Sequence, residues 1–174
     1  MKFATSNQGK LREAAQITGM AFEGVTIDLP EPQAIAVADV VREKARVAYE
    51  RLSEPVLIED TGLSFDAWNG LPGALIKWFL ESVGNEGILK MLGAETNRGA
   101  TAVSRLCWFD GTNYNEFEGA IRGRVPMAVQ GMGGFGWDAI FIPDGHEKSF
   151  AEMSMEEKNS LSMRARAFEA MKRG

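Results

Sequence analysis

Three short segments carry side chains whose types and spacing could do chemistry. The first is A-T-S-N-Q-G-K-L, residues 4–11. It comes within one residue of a Walker A loop, but Leu11 stands where the Mg²⁺-holding hydroxyl belongs, so a P-loop nucleoside triphosphatase fits poorly. The local physics outlives the lost hydroxyl. Amides at the start of a helix, the side chains of Thr5, Ser6 and Asn7, and the Lys10 ammonium compose a phosphate cradle, although an ordinary capped turn accounts for the same residues.

The second segment is L-I-E-D-T-G-L-S, residues 57–64. Asp60-Thr61-Gly62 matches an aspartic-protease half-site, where two copies share one proton. Only one copy is present, and Glu59 would add a second negative charge to each half-site of a dimeric protease. Mg²⁺ removes that difficulty, because hard cations take carboxylate oxygens and tolerate clustered negative charge. Glu31, in D-L-P-E-P, is a candidate further carboxylate; solvated strand ends are the plain alternative. The third segment, Q-G-M-G-G-F-G-W-D (130–138), contains G-x-G-x-x-G at Gly131, Gly133 and Gly136. The residues after the last glycine, W-D-A-I-F-I-P, read as a strand rather than a helix, so the dinucleotide reading fails. The loop instead presents Phe135 and Trp137 around Gly136, a platform for base stacking, with Trp137 equally at home in the core. Cradle, carboxylates and platform together specify a nucleoside triphosphate site.

Other chemistries are short of residues. Cys107, the lone cysteine, lies in R-L-C-W-F and reads as a buried thiol; His146, the lone histidine, lies on the turn P-D-G-H-E-K. Neither a zinc cluster nor a disulfide framework can be built from them. The formal charge is −5 with no long basic run, which argues against a nucleic-acid polymer as partner. No stretch approaches the ~20 apolar residues of a membrane span, and the first residues carry no apolar leader, so a cytoplasmic protein without membrane attachment is expected.

These segments need elements to position them. K-F-A-T-S (2–6) reads as a strand, L-R-E-A-A-Q-I (11–17) as a helix ended by Gly19, and V-T-I-D-L (25–29) as a second strand stopped by Pro30 and Pro32. From Ala36 to Leu52 apolar residues recur at helical spacing, and P-V-L-I-E-D (55–60) is a buried strand whose charged end emerges at Glu59. S-F-D-A-W predicts another strand and A-L-I-K-W-F-L-E-S-V a helix. A-T-A-V-S-R-L-C-W-F and N-E-F-E-G-A-I-R-G-R-V flank D-G-T-N as an antiparallel hairpin. Ser154 and Glu157 form a capping box, with Ser162 as a second cap. The alternation predicts a single α/β domain, residues 1–174, with a mixed sheet flanked by helices.

The chain resembles the inosine triphosphate pyrophosphatases, also called XTP/dITP pyrophosphatases. The resemblance runs through T-S-N-Q-G-K, I-D-L-P-E, V-L-I-E-D-T-G-L, G-L-P-G-A-L-I-K-W-F-L-E, G-F-G-W-D and A-E-M-S-M-E-E-K-N-S-L-S-M-R. It implies an elongated α/β homodimer with a nucleotide cleft between two lobes, and Mg²⁺-dependent hydrolysis of ITP, dITP and XTP to monophosphate and pyrophosphate. Mn²⁺ would be able to replace Mg²⁺. By this resemblance Thr5, Ser6, Asn7, Gln8, Gly9 and Lys10 hold the triphosphate, with Lys44 and Thr61 adding contacts. Glu31 and Asp60 bind the metal, and Asp60 orients or deprotonates the attacking water; Lys10 and Glu31 complete the catalytic group. Lys77, Phe135, Gly136, Trp137, Asp138, Lys158, Met163 and Arg164 line the nucleotide site, mostly around the base.

Lys158 and Arg164 are donors suited to a 6-oxo purine. Six residues apart on one helix of ~3.6 residues per turn they would diverge, so the chain is expected to bend near Asn159–Ser162. The sequence departs from the family at Met163, where relatives have His, at Ala139, where a proline is common, and at Leu75, where many have an aromatic. Methionine packs against a purine but donates no hydrogen bond, so either Arg164, Lys158 and loop amides carry the discrimination or specificity is relaxed. A pyrophosphatase of relaxed or different base specificity and a nucleotide sensor without turnover are the competing readings.

Overall fold

The computed structural model describes residues 1–174 and starts with strand β1 (Lys2–Ala4), which leads into helix α1 (Gln8–Thr18). Asn7 caps the helix: its side chain accepts hydrogen bonds from the amides of Gly9 at 2.9 Å and Lys10 at 3.2 Å. That satisfies two of the donors every helix start leaves without partners. Gly19 ends α1 at φ 71°, a left-handed conformation that glycine adopts without steric cost. Strand β2 (Glu23–Val25) lies parallel to β1; helix α2 (Val37–Leu52) then crosses to β3 (Val56–Phe65), parallel to the other side of β1.

After a single 3₁₀ turn (Asp66–Trp68) come β4 (Pro72–Gly73), helix α3 (Ile76–Leu92) and the hairpin β5 (Gly99–Phe109) and β6 (Tyr114–Arg124). A second 3₁₀ turn (Asp138–Ile140), β7 (Ile142–Pro143), α4 (Met155–Leu161) and α5 (Met163–Arg173) complete the chain. The sheet order is β2-β1-β3-β5-β6-β7, with β4 beside the far end of β3. It is parallel around β1 and antiparallel beyond β3, the mixed sheet expected from the alternation of elements.

The crossover from β1 through α1 to β2 runs one way along the sheet and that from β2 through α2 to β3 runs back the other way, which puts α1 and α2 on opposite faces. Phe3 and Leu57 pack with Ala14 and Phe168 on the α1–α5 face, whereas their chain neighbours Ala4 and Ile58 pack with Val41, Ala45 and Ala48 on the α2 face. Reversal of direction at β1 is a topological switch point, and it opens a crevice beyond the carboxyl end of β1 and beside the middle of β3. A third, larger apolar cluster lies at the other end of the long strands, where Leu63, Phe65, Ala100 and Ile121 meet Ile88 of α3, Trp137 and Phe141. These are the two lobes.

Several expected boundaries differ. β2 spans Glu23–Val25 rather than 25–29, because β1 turns away into α1 and leaves residues 26–29 no strand to pair with. The segments 55–60 and S-F-D-A-W are not two strands. β3 runs unbroken from Val56 to Phe65 against β5, and Asp66–Trp68 form a 3₁₀ turn. Residues 138–140 are likewise a 3₁₀ turn, with only Ile142–Pro143 in the sheet. α3 continues past the expected end to Leu92, across a break at Gly84 with φ 67°. The hairpin and both C-terminal caps stand as expected.

Candidate active site

The crevice is a cleft of about 720 Å³, lined by residues of both lobes, and falls in the usual size range of small-molecule sites. One end belongs to β3, α2 and the loop after β2. Asp60 projects to the α2 face of β3, where its Oδ2 accepts from Lys44 Nζ at 2.8 Å and its Oδ1 from the Thr61 amide at 2.7 Å. Lys10, in the first turn of α1, lies 3.9 Å from Asp60 and donates to the Glu59 carbonyl at 3.2 Å. Glu31 accepts from Lys44 at 2.7 Å and from Lys77 of α3 at 2.8 Å, so it ties α2 to the opposite lobe. Burial pushes the Asp60 carboxyl up, but Lys10 and Lys44 outweigh it and hold the group below the usual aspartate value. Burial likewise pushes the Lys44 ammonium down, and Asp60 and Glu31 reverse the effect and raise it.

The other end is a buried ionic cluster. Lys158 donates to Glu13 at 2.9 Å and to Asp138 at 2.7 Å, and Arg164 Nε donates to Glu59 Oε1 at 2.7 Å while its Nη1 bonds Glu13. Lys158 is 3% exposed and Arg164 1%. Phe135 covers both cations, its ring centroid 4.6 Å from Lys158 Nζ and 5.5 Å from Arg164 Cζ. The arrangement depends on the bend at Ser162, whose backbone is extended (φ −64°, ψ 159°) and whose hydroxyl accepts from the Ala165 amide at 3.2 Å to start α5. Without that break Lys158 and Arg164 would point apart. Three carboxylates, Glu13, Glu59 and Asp138, face these two cations, and burial raises the Asp138 carboxyl above its usual value.

The structure brings most of the expected residues to one place. Thr5, Ser6, Asn7, Lys10, Glu31, Lys44, Asp60, Thr61, Lys77, Phe135, Gly136, Trp137, Asp138, Lys158, Met163 and Arg164 all line the cleft. Gln8 and Gly9 do not; they form the first turn of α1, with Gly9 directly beneath the Phe135 ring. The cap also consumes part of the expected cradle, since the Asn7 side chain takes the amides of Gly9 and Lys10. Trp137 is buried in the core against Phe141, which leaves Phe135 as the available ring.

Glu59 is the clear correction. It does not emerge with Asp60: alternate residues of a strand face opposite ways, so Glu59 points to the α1–α5 face, fully buried against Arg164 and the Ser104 hydroxyl at 2.7 Å. Glu13, the third carboxylate of the cluster, belongs to no motif of the sequence. Its only signal was an acid set among the alanines of L-R-E-A-A, on the face of α1 that packs inward.

Comparison with known proteins adds to this geometry. The model of the Ham1 family matches residues 1–174. An inosine triphosphate pyrophosphatase 1 of Trypanosoma cruzi is 47% identical, over 97% of this chain and 88% of its own. A dITP/XTP pyrophosphatase of Methanopyrus kandleri is 42% identical, over 96% of this chain and 91% of its own. The structure of a HAM1 protein from Coxiella burnetii shares the fold with a TM-score of 0.85 at 23% identity, covering 98% of this chain and 94% of that one.

Proposed function

The chain belongs to the Ham1 family, and from that membership and the geometry of the cleft we propose how it works and which residues carry the work. It is a nucleoside triphosphate pyrophosphatase that hydrolyses ITP, dITP and XTP to the monophosphate and pyrophosphate. The observation that carries the residue assignment is the division of the cleft. One end gathers Lys10, Lys44 and Lys77 around two carboxylates, and the other holds the buried donors Lys158 and Arg164 beneath an aromatic ring. The first suits a triphosphate and the second a base.

In this reaction a water oxygen attacks the α-phosphorus, the bond from that phosphorus to the bridging oxygen breaks, and pyrophosphate departs with that oxygen. Lys10, Lys44 and Lys77 bind the phosphate oxygens, and the hydroxyls of Thr5 and Ser6 donate to them. Asp60 positions the water.

No three His, Cys, Asp or Glu side chains cluster closely enough to enclose a cation by themselves. Glu31 and Asp60 nevertheless fit Mg²⁺, which is held by one or two carboxylates and completed by substrate phosphates and water. Mn²⁺ suits the same oxygen donors. The ion would supply charge neutralisation for the departing pyrophosphate.

At the far end Lys158 and Arg164 face the 6-oxygen of hypoxanthine or xanthine, an acceptor, whereas adenine presents an amino donor there. A mismatch of that kind discriminates by factors on the order of 10⁴. Met163 lines the cleft but its thioether donates no hydrogen bond, so selectivity falls to the two cations. We extend the proposal to a homodimer in the cytoplasm, as the family resemblance implies; a monomer in sedimentation velocity would end the first of these.

The test is pyrophosphate release from ITP, XTP, dITP, ATP and GTP, with Mg²⁺ and with EDTA, for the wild type and Asp60→Asn. Turnover of the first three that needs Mg²⁺ and collapses in the variant supports the assignment. Equal turnover in EDTA removes the metal role, and unchanged rates in Asp60→Asn remove Asp60 from the site.

A further inference from the structure

Lys44 sits where a metal would have to sit. Its Nζ lies 2.7 Å from Glu31 Oε2 and 2.8 Å from Asp60 Oδ2, so one ammonium joins the two carboxylates assigned to Mg²⁺. The Lys44 side chain is only 11% exposed. The other oxygens of the pair are engaged as well: Glu31 Oε1 by Lys77 at 2.8 Å and Asp60 Oδ1 by the Thr61 amide at 2.7 Å. Every oxygen of both acids has a donor from within the protein.

A divalent cation arriving alone meets three ammonium groups, Lys10, Lys44 and Lys77, already paired with Glu31 and Asp60, and with Glu81 4.0 Å from Lys77. It must also displace a largely buried ammonium that has no other anion within reach. A triphosphate changes the balance, because its oxygens offer all three lysines new partners and release the carboxylates together. We propose that Lys44 is a built-in counter-ion that closes the metal site of the free protein, so that Mg²⁺ enters only together with the nucleoside triphosphate. The proposal rests on the pyrophosphatase reading for the identity of the metal ligands. Its consequence is an order of binding: the metal–nucleotide complex is bound as a unit, and the protein without nucleotide holds no metal.

Mn²⁺ is the probe, followed by the loss of its free-ion paramagnetic resonance signal as nucleotide-free protein is added. Wild type is expected to bind weakly, and Lys44→Met at least about tenfold more tightly, since a like charge within contact distance of both ligands has gone. Lys44→Gln, which keeps a donor but no charge, should behave as Lys44→Met, and gives a second reading if methionine disturbs the packing. Lys44→Arg keeps the charge and should stay as weak as wild type. The gain should vanish in Lys44→Met/Asp60→Asn, which locates it at these carboxylates. Tight Mn²⁺ binding by the nucleotide-free wild type, or no gain in either neutral variant, overturns the counter-ion role. If the wild type still hydrolyses ITP with Mg²⁺ in that case, only this inference falls. Absence of both hydrolysis and Mn²⁺ uptake in the presence of an α,β-methylene ITP analogue would take the pyrophosphatase reading with it.

Discussion

Replacing Glu13 by alanine probes the cluster on which base reading depends. Glu13 is 4% exposed, and each of its oxygens holds a different cation: Oε1 accepts from Lys158 at 2.9 Å and Oε2 from Arg164. After the substitution each cation keeps one partner, Lys158 with Asp138 at 2.7 Å and Arg164 with Glu59 at 2.7 Å. Two charge-assisted hydrogen bonds are lost, each contributing about 1.5–3 kcal/mol, and removing one member of a buried ionic group costs about 3–5 kcal/mol. Relief of the third carboxylate offsets part of this, so the lower end, about 3 kcal/mol, is expected. For a chain of this length that lowers Tm by roughly 6–12 °C.

Thermal and guanidinium unfolding at pH 7 measure the loss, and the ratio of ITP to ATP turnover measures the effect on selectivity, which should fall with the common anchor of Lys158 and Arg164. Glu13→Gln keeps an acceptor without the charge and should lose less. Burial pushes the Glu13 carboxyl up, yet Arg164 and Lys158 together hold it below the usual glutamate value. Its contribution is therefore complete above the unfolded-state value and disappears as pH falls through the lower folded-state value, so wild type and Glu13→Gln should converge in strong acid. A loss under about 1 kcal/mol with unchanged selectivity would refute the reasoning, because Lys158 and Arg164 would then be solvated or freely re-paired.

Gly119→Ala places a Cβ 2.0 Å from the Met163 carbonyl oxygen and 2.4 Å from the Ala167 amide nitrogen. It should push α5 off β6, cost about 1–3 kcal/mol or more, and reduce ITP turnover through Arg164; an unchanged Tm and rate would contradict that close packing. Cys107 is fully buried, and burial pushes its thiol up to about 12, so an aromatic disulfide reagent should label it in guanidinium but not in the native protein. Rapid native labelling would refute its placement. Asp60, pushed up by burial but held lower by Lys10 and Lys44, stays ionised below the usual aspartate range. Its acid limb in the pH profile of kcat/KM should lie below the usual aspartate range and move upward in Lys10→Met; a limb that stays put would separate the limb from Asp60.

What could be read from the sequence depended on the distance over which each feature is decided. Ser154 and Ser162 announce caps within three residues of themselves, and both cap as their positions imply. The bend at Ser162 was legible because a local cap coincided with a resemblance that puts Lys158 and Arg164, six residues apart, at one base. Glu59 and Glu13 were not, because their partners lie 105 and 145 or more positions away, and nothing in L-I-E-D or L-R-E-A-A states which face will meet Arg164. Strand lengths failed for the same reason: β2 is cut short by the departure of β1, and β3 is prolonged by its partner β5.

The adjacent acids Glu59 and Asp60 show how the two ends of the cleft become one device. A single peptide step on β3 sends one carboxylate to the α1–α5 face, where it holds Arg164 of the base end, and the next to the α2 face, where it joins Lys44 at the phosphate end. A slip of one residue in the pairing of β3 with β5 would exchange the two faces and disable both ends at once. The register therefore needs a lock close by. Gly62, two residues on, supplies one: a Cβ there would meet Val37 at 2.7 Å and the Gly73 backbone at 3.1 Å, so α2 and β4 close on the strand only at a residue without a side chain. The glycine of E-D-T-G thus does for geometry what its two acids do for chemistry.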